Sequence, residues 1–400
     1  MKRLKKFYFD IYRAFKNEFK FVIKDKGLLI FLFLVPLLYP IVYALIYNPE
    51  LTRDVPVAIV DDSRSVKSRE LARKIDASES AMVAGYAADM EEAKRWIAEK
   101  RCYGIVHIDR DFDRNIVRGE QGTVSLYCDM SLLIRYKSLL VALTESTMDL
   151  GSDIRIEKMY SLGADAPKVP PTVSSTYFAL GNPEQGFATF LLPAILILIV
   201  QQTIILSVCM MGGAIYERRR RYGDIDPFDT RNSGAVSRML GKAMAFIILY
   251  LGQLVYLLYF VPKFFSYPQY ADLFEVILLC VPYLFAAVFF GMTLQVIVRE
   301  RETSFVLIVV TSVIFLFLSG IPWPLYDMSP AYRFASACCP STWAMQAFVR
   351  MNANGASLGD VSHEYMMLWL NAIGYFFIAL FINKASVRHH IRQYSPEKAQ

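Results

Sequence analysis

Histidine and cysteine are scarce in this chain of 400 residues, which holds four of the first and six of the second. His107, His363, His389 and His390 are scattered, and no histidine and cysteine spacing has the form of a metal site. Six cysteines in a chain this long do not make a disulfide framework. Cys209 and Cys280 fall within apolar runs, where a thiol acts as a small apolar filler. Cys102 and Cys128 lie in a polar region, as do Cys338 and Cys339, and an oxidising compartment would permit bridges there. A Cys102–Cys128 pair and two free thiols are both open readings. There is no Gly-x-x-x-x-Gly-Lys-Ser/Thr loop to cradle nucleotide phosphates, so the chain is not expected to hydrolyse ATP itself. Acids and bases form no chain through the long apolar runs, Glu275 lying near an end of one, which removes the residues that a proton-driven carrier uses. No nucleophile and base are paired in them for catalysis. Asp109, Asp111 and Asp113 alternate in the manner of helix caps and solvated surface.

What the chain has in excess is apolar length. Hydrophobic residues make up 55% of it. Leu28 to Tyr47 and Phe187 to Met211 are two long apolar runs flanking a mostly polar stretch, and four more follow between Ala243 and Ile382. About 20 apolar residues are needed to cross a hydrocarbon core, so the expectation is an α-helical integral membrane protein of six transmembrane helices with one water-exposed domain inserted. Basic residues crowd before the first run, between the second and third (Arg218 to Arg221, Arg231, Arg238 and Lys242), after the fourth (Arg299 and Arg301) and in the tail. The positive-inside rule makes these segments cytoplasmic and places both termini inside. The formal charge of +6 would suit nucleic acid, but these cations border apolar spans, and anionic headgroups of the lipid bilayer are the simpler partner. The start is too basic, and its apolar run too long, for a cleaved signal peptide.

The resulting division is residues 1–26 as a cytoplasmic amphipathic helix, 27–47 as the first span and 48–186 as an extracytoplasmic α/β domain. Residues 187–383 hold five further spans, with a cytoplasmic loop at 216–242 and an outer segment at 321–355, and 384–400 form a cytoplasmic tail. Leu4, Tyr8, Ile11, Phe15, Phe19 and Val22 recur at helical spacing, a stripe suited to the membrane surface, before the polar break Asp25, Lys26 and Gly27. In the inserted domain Val55 to Val60 reads as a buried strand, with Asp61 to Ser63 as turn and helix cap. Strands near 81–84, 103–108 and 123–127 alternate with helical stretches at 66–75, 90–100 and 131–162, which argues a small, largely parallel α/β fold. Gln201, Gln202, Gln253, Gln295 and Asn371 are the amides inside apolar runs. Each must find a partner, either across a helix contact or along a polar path.

Three segments together resemble the type-2 permeases of ATP-binding-cassette (ABC) exporters, in the subgroup with a large outer domain between the first two spans. They are VPVAIVDDSRS with the following AADMEEAKRWIAEKRCYGIVHIDRDFDRNIVRGEQGTVSLYCD, then YERRRRYGDIDPFDTRNSGAVSRMLGKAMAF, and LSGIPWPLYDMSPAYRFASACCPSTWAMQAFVR. Many members carry a glycine-threonine-leucine-glutamate type run where this chain has Gly223, Asp224, Ile225, Asp226 and Pro227. The resemblance implies export of a drug-like, lipid-like or other substrate across a bacterial cytoplasmic membrane. It also implies a partner ABC ATPase that carries ATP and Mg, with no cofactor on this chain, and a homodimer or a heterodimer with a related permease. A periplasmic adaptor is a further partner that it admits. By the same resemblance Glu217, Arg218, Gly223, Asp224, Asp226, Pro227 and Phe228 would couple to the ATPase. Pro322, Trp323, Pro324 and Trp343 would belong to an outer gate of two short re-entrant helices. The competing class is a membrane receptor or scaffold whose α/β domain binds a ligand.

Overall fold

A computed structural model describes residues 2–46, 52–161, 181–182, 186–222 and 234–393, apart from the side chains of Lys2, Arg219, Arg221, Tyr222 and 385–393. The chain forms two compact units, Met1–Asn48 with Ala179–Gln400, and Pro49–Phe178. The first unit opens with helix α1 (Lys2–Lys24) and α2 (Lys26–Ile46), separated by Asp25. Asp25 caps α2, its carboxylate accepting the Leu28 amide at 3.1 Å. The chain relaxes into a π turn over Ile30–Leu34 just ahead of Pro36, whose ring leaves no N–H for the Leu32 carbonyl four residues earlier.

The second unit contains a four-stranded sheet of order β2-β1-β3-β4. Its elements are β1 (Val55–Asp61), α3 (Val66–Asp76), β2 (Ala81–Tyr86), α4 (Met90–Ala98), β3 (Gly104–Ile108), α5 (Phe112–Arg118), β4 (Val124–Cys128) and α6 (Leu133–Ser161). Central β1 runs parallel to both neighbours and is almost continuously buried, which is why VPVAIV shows no alternation. Only β4 is antiparallel. Val57, Ile59, Val106 and Ile108 pack under Leu71 and Ile75 of α3 and Leu139 of α6. On the other face Ala58, Val60 and Ile105 meet Ala93 of α4. Cys102 belongs to that second face while Cys128 packs with the first, so the pairing left open by sequence is absent and both thiols are free. The cap of α3 is Ser65 rather than Asp61 to Ser63. Arg64 takes a left-handed conformation (φ 49°) that delays the helix, and Ser65 and Ser68 then form a reciprocal capping box. Asp61 braces the turn by accepting from the Arg64 amide and the Ser68 hydroxyl.

The first unit resumes with α7 (Phe187–Tyr222), α8 (Ala235–Phe264), α9 (Leu273–Leu294), α10 (Thr303–Leu318), α11 (Pro330–Ala337), α12 (Pro340–Asn354) and α13 (Ser362–Gln393). Among the described residues five helices are long and apolar enough to cross a membrane: α2, α7, α8, the helix beginning at Leu273, and α13. The sixth apolar run expected from sequence forms a 16-residue helix, α10, shorter than these five. At about 1.5 Å per residue it reaches roughly 24 Å, a length that crosses a ~30 Å hydrocarbon core where the bilayer thins around it. The cause of its shortness is local: Gly320 turns to a left-handed φ of +80° and prolines follow at 322 and 324.

The N-terminal stripe is likewise divided. Gly241 of α8 lets the backbone of α1 approach so closely that a Cβ there would sit 2.6 Å from both the Ile11 carbonyl oxygen and the Ala14 Cβ. Val22 is buried in the bundle, while Leu4, Tyr8 and Tyr12 remain exposed. Helix α1 is therefore held by protein on one face and keeps a second apolar face.

Candidate functional site

Among the described residues, three groups of polar contacts stand out in the bundle: one at each end and one beside two prolines. At the end bearing Lys26, called the basic end, three segments meet. Glu217 lies within α7, which continues to Tyr222, and its Oε1 accepts the backbone N–H of Arg301 at 2.8 Å. The Arg301 guanidinium in turn donates to Asp25 Oδ1 at 2.6 Å. Burial alone would raise the Asp25 carboxyl, but the Arg301 guanidinium and the Leu28 amide outweigh it and hold the group below the ordinary carboxylate range. Gly213 makes this meeting possible, because a Cβ there would stand 2.8 Å from the Glu300 carbonyl and the Arg301 nitrogen. Arg218 is exposed. Gly223, Asp224, Asp226, Pro227 and Phe228 lie outside the described residues.

At the opposite, hairpin end α11 and α12 follow the truncated α10. Their backbone would be costly inside an apolar bundle, and side chains satisfy it. The Leu318 carbonyl accepts from Ser336 Oγ (2.6 Å) and Thr342 Oγ1 (3.3 Å), and the Ser319 carbonyl accepts from Gln346 Nε2 (2.9 Å). Gln201 Oε1, fully buried on α7, accepts the Ser341 N–H at 2.7 Å and so serves as the N-terminal acceptor that Cys339, the cap of α12, does not supply. The Ala337 carbonyl accepts from both Trp343 Nε1 (2.9 Å) and Asn371 Nδ2 (3.2 Å), and the Cys338 carbonyl from Tyr375 (2.6 Å). Thus Gln201, Asn371 and Trp343 converge on one hairpin. Pro322 and Trp323 sit apart from them in the exposed loop, with Pro324 half-buried beside them.

Gln253 follows a rule that proline imposes. Gln253 Nε2 of α8 donates to the Leu32 carbonyl, the one that Pro36 leaves without a partner. Among the described residues the device recurs. A second π turn, Tyr256–Phe260, precedes Pro262, and the Leu258 carbonyl four residues before that proline accepts from Gln269 Nε2 at 3.0 Å. Sequence reasoning passes over Gln269, although a proline in an apolar helix always signals a free carbonyl. Gln202 Oε1 accepts from Thr311 of α10 at 3.3 Å. The side-chain nitrogens of Gln201 and Gln202 have no hydrogen-bond partner among the described residues.

Apolar helices of spanning length, tied together by internal amides, define a multi-pass membrane protein. A family described as ABC-2 family transporter protein matches residues 26–381, and the chain belongs to that family. It is accordingly a membrane component of an ABC transporter, a role that implies an ABC ATPase subunit as partner. No curated protein sequence matches the chain.

Proposed function

We propose that the protein is the permease subunit of an exporter in a bacterial cytoplasmic membrane, working as a dimer with itself or a related permease. ATP and Mg are held and hydrolysed by the separate ATPase. Residues 48–186 and the hairpin at 321–355 face outward, and the basic end, both termini and 216–242 face inward. The observation that carries this reading is the continuity of α7. One unbroken helix holds the hairpin through Gln201 and the connector before α10 through Glu217, sites roughly 24 Å apart at about 1.5 Å per residue. A push on the inner end of such a rod moves the outer hairpin without slack. The charged segment that follows it in sequence, with Asp224, Asp226 and Pro227, would take the push of the ATPase.

The test uses full-length permease and its ATPase reconstituted in proteoliposomes. Glu217→Gln, Asp224→Asn and Asp226→Asn are expected to insert and assemble normally but to lose substrate-stimulated ATP turnover, and the permease alone is expected to show none. Parental stimulation by every variant would reduce the segment to a topological anchor and shift coupling to Leu4 to Val22.

A further inference from the structure

A groove of about 790 Å³ opens at the basic end where α1, α2 and α10 begin or end, with the Asp25–Arg301 pair in its wall. Its walls have two chemistries. Phe31 of α2 and Phe305 of α10 meet edge-on with centroids 5.2 Å apart, and Met210 of α7 completes an apolar floor. At the mouth stand Lys24 and Lys26, both exposed and in no ion pair among the described residues. Arg301 and Asp25 also line it, but they neutralise each other. With Glu302 the wall carries three cations against two acids, an excess of one positive charge. Gly27 keeps the mouth open, since a Cβ there would meet the Arg301 guanidinium at 3.0 Å.

An apolar floor under a cationic mouth matches an amphiphile with an anionic head. The floor is also flanked by exposed apolar side chains, Ile30 on α2 and Val306 on α10, which in a membrane protein face the acyl phase. A second groove of about 380 Å³ beside α1 repeats the chemistry with Phe15, Phe19, Lys16 and Lys20, and shares Lys24. We infer that the elbow groove binds one anionic phospholipid, its phosphate between Lys24 and Lys26 and an acyl chain along Phe31, Phe305 and Met210. Basic recesses between helices at a membrane border recognise such headgroups by charge, while the chain supplies apolar area that a free phosphate lacks. A lipid seated there clamps the elbow between α1 and α2 to the start of α10. The inference rests on membership of a membrane family and not on the direction of transport.

Native mass spectrometry of the full-length protein released from detergent tests it, with phosphatidylglycerol and phosphatidylcholine of identical acyl chains in competition and inorganic phosphate as the soluble source. One phosphatidylglycerol is expected to be retained at least about tenfold over phosphatidylcholine, undisplaced by equimolar phosphate. Lys24→Gln combined with Lys26→Gln should weaken retention on the order of 30-fold, and Lys24→Arg with Lys26→Arg should preserve it. Equal retention of the two lipids, or parental retention by the glutamine variant, overturns the assignment. Displacement by inorganic phosphate overturns it too, since the apolar floor would then contribute nothing.

Discussion

Gln201 accepts the backbone N–H of Ser341 at 2.7 Å across 140 positions of sequence, inside the bundle and out of reach of water. The bond lets α12 begin in an apolar setting. Gln201→Leu removes the acceptor and leaves an orphan amide, which costs about 1–2 kcal/mol. The apparent melting temperature in detergent should fall, and hydrogen exchange should speed up at Ser341 and Thr342 while α3 and α6 exchange as before. Unchanged exchange at Ser341 would show that this cap is dispensable.

Gln253 and Pro36 should be coupled energetically although they lie on different helices, because Gln253 serves the carbonyl that Pro36 leaves free. Gln253→Leu is expected to destabilise by about 0.6–2 kcal/mol. Pro36→Ala restores an N–H to the Leu32 carbonyl, so the same Gln253→Leu change should cost markedly less in that background. A double-mutant cycle by thermal unfolding reads the difference, and strict additivity would refute the link.

The Asp25–Arg301 pair predicts a pH dependence of definite sign. The folded-state pKa of Asp25 is depressed, so the unfolded chain takes up this proton first as pH falls. The contribution is therefore complete above the unfolded value of about 4 and is lost as pH drops through the lower folded value. Asp25→Asn should lower stability by about 1–3 kcal/mol at neutral pH. The gap from the parent should close as the pH is taken below about 4. A gap that widens on acidification would contradict the assignment.

At Gly213 the test is steric. The three atoms nearest the missing Cβ belong to the backbone of Glu300 and Arg301, so Gly213→Val cannot be absorbed by a rotamer change there. The connector must move off α7, breaking the bond from the Arg301 N–H to Glu217, at a cost of about 1–3 kcal/mol. If that bond carries the coupling, substrate-stimulated ATP turnover should fall with it. Gly252, with open space where its Cβ would be, is the control: Gly252→Ala should lower neither.

Sidedness can be read directly. In a cysteine-free background, Ser63→Cys and Ser357→Cys should react with an impermeant maleimide in intact spheroplasts, and Ser233→Cys should not. Reaction at position 233 but not at 63 would invert the proposed topology.

Composition and periodicity already carried much of this protein. Long apolar runs mark α2, α7, α8, α9 and α13, because a helix set among lipid and other apolar helices needs apolar side chains all round, and that is legible one residue at a time. The alternation of strand and helix from Val55 to Ser161 was readable for the same reason, since burial on a sheet imposes a local pattern. What each amide touches was not readable. Gln201, Gln253 and Asn371 stand out as polar residues in need of partners, but whether the partner is Ser341, Leu32 or Ala337 depends on the rotation of one helix against another. Packing at glycines helps decide it: Gly241 draws α1 onto α8 and splits an apolar stripe that looked single, and Gly213 brings the Arg301 amide to Glu217. A side chain's need for a partner is a property of the residue. The identity of that partner is set by contacts between segments far apart in the chain, and therefore only by the tertiary fold.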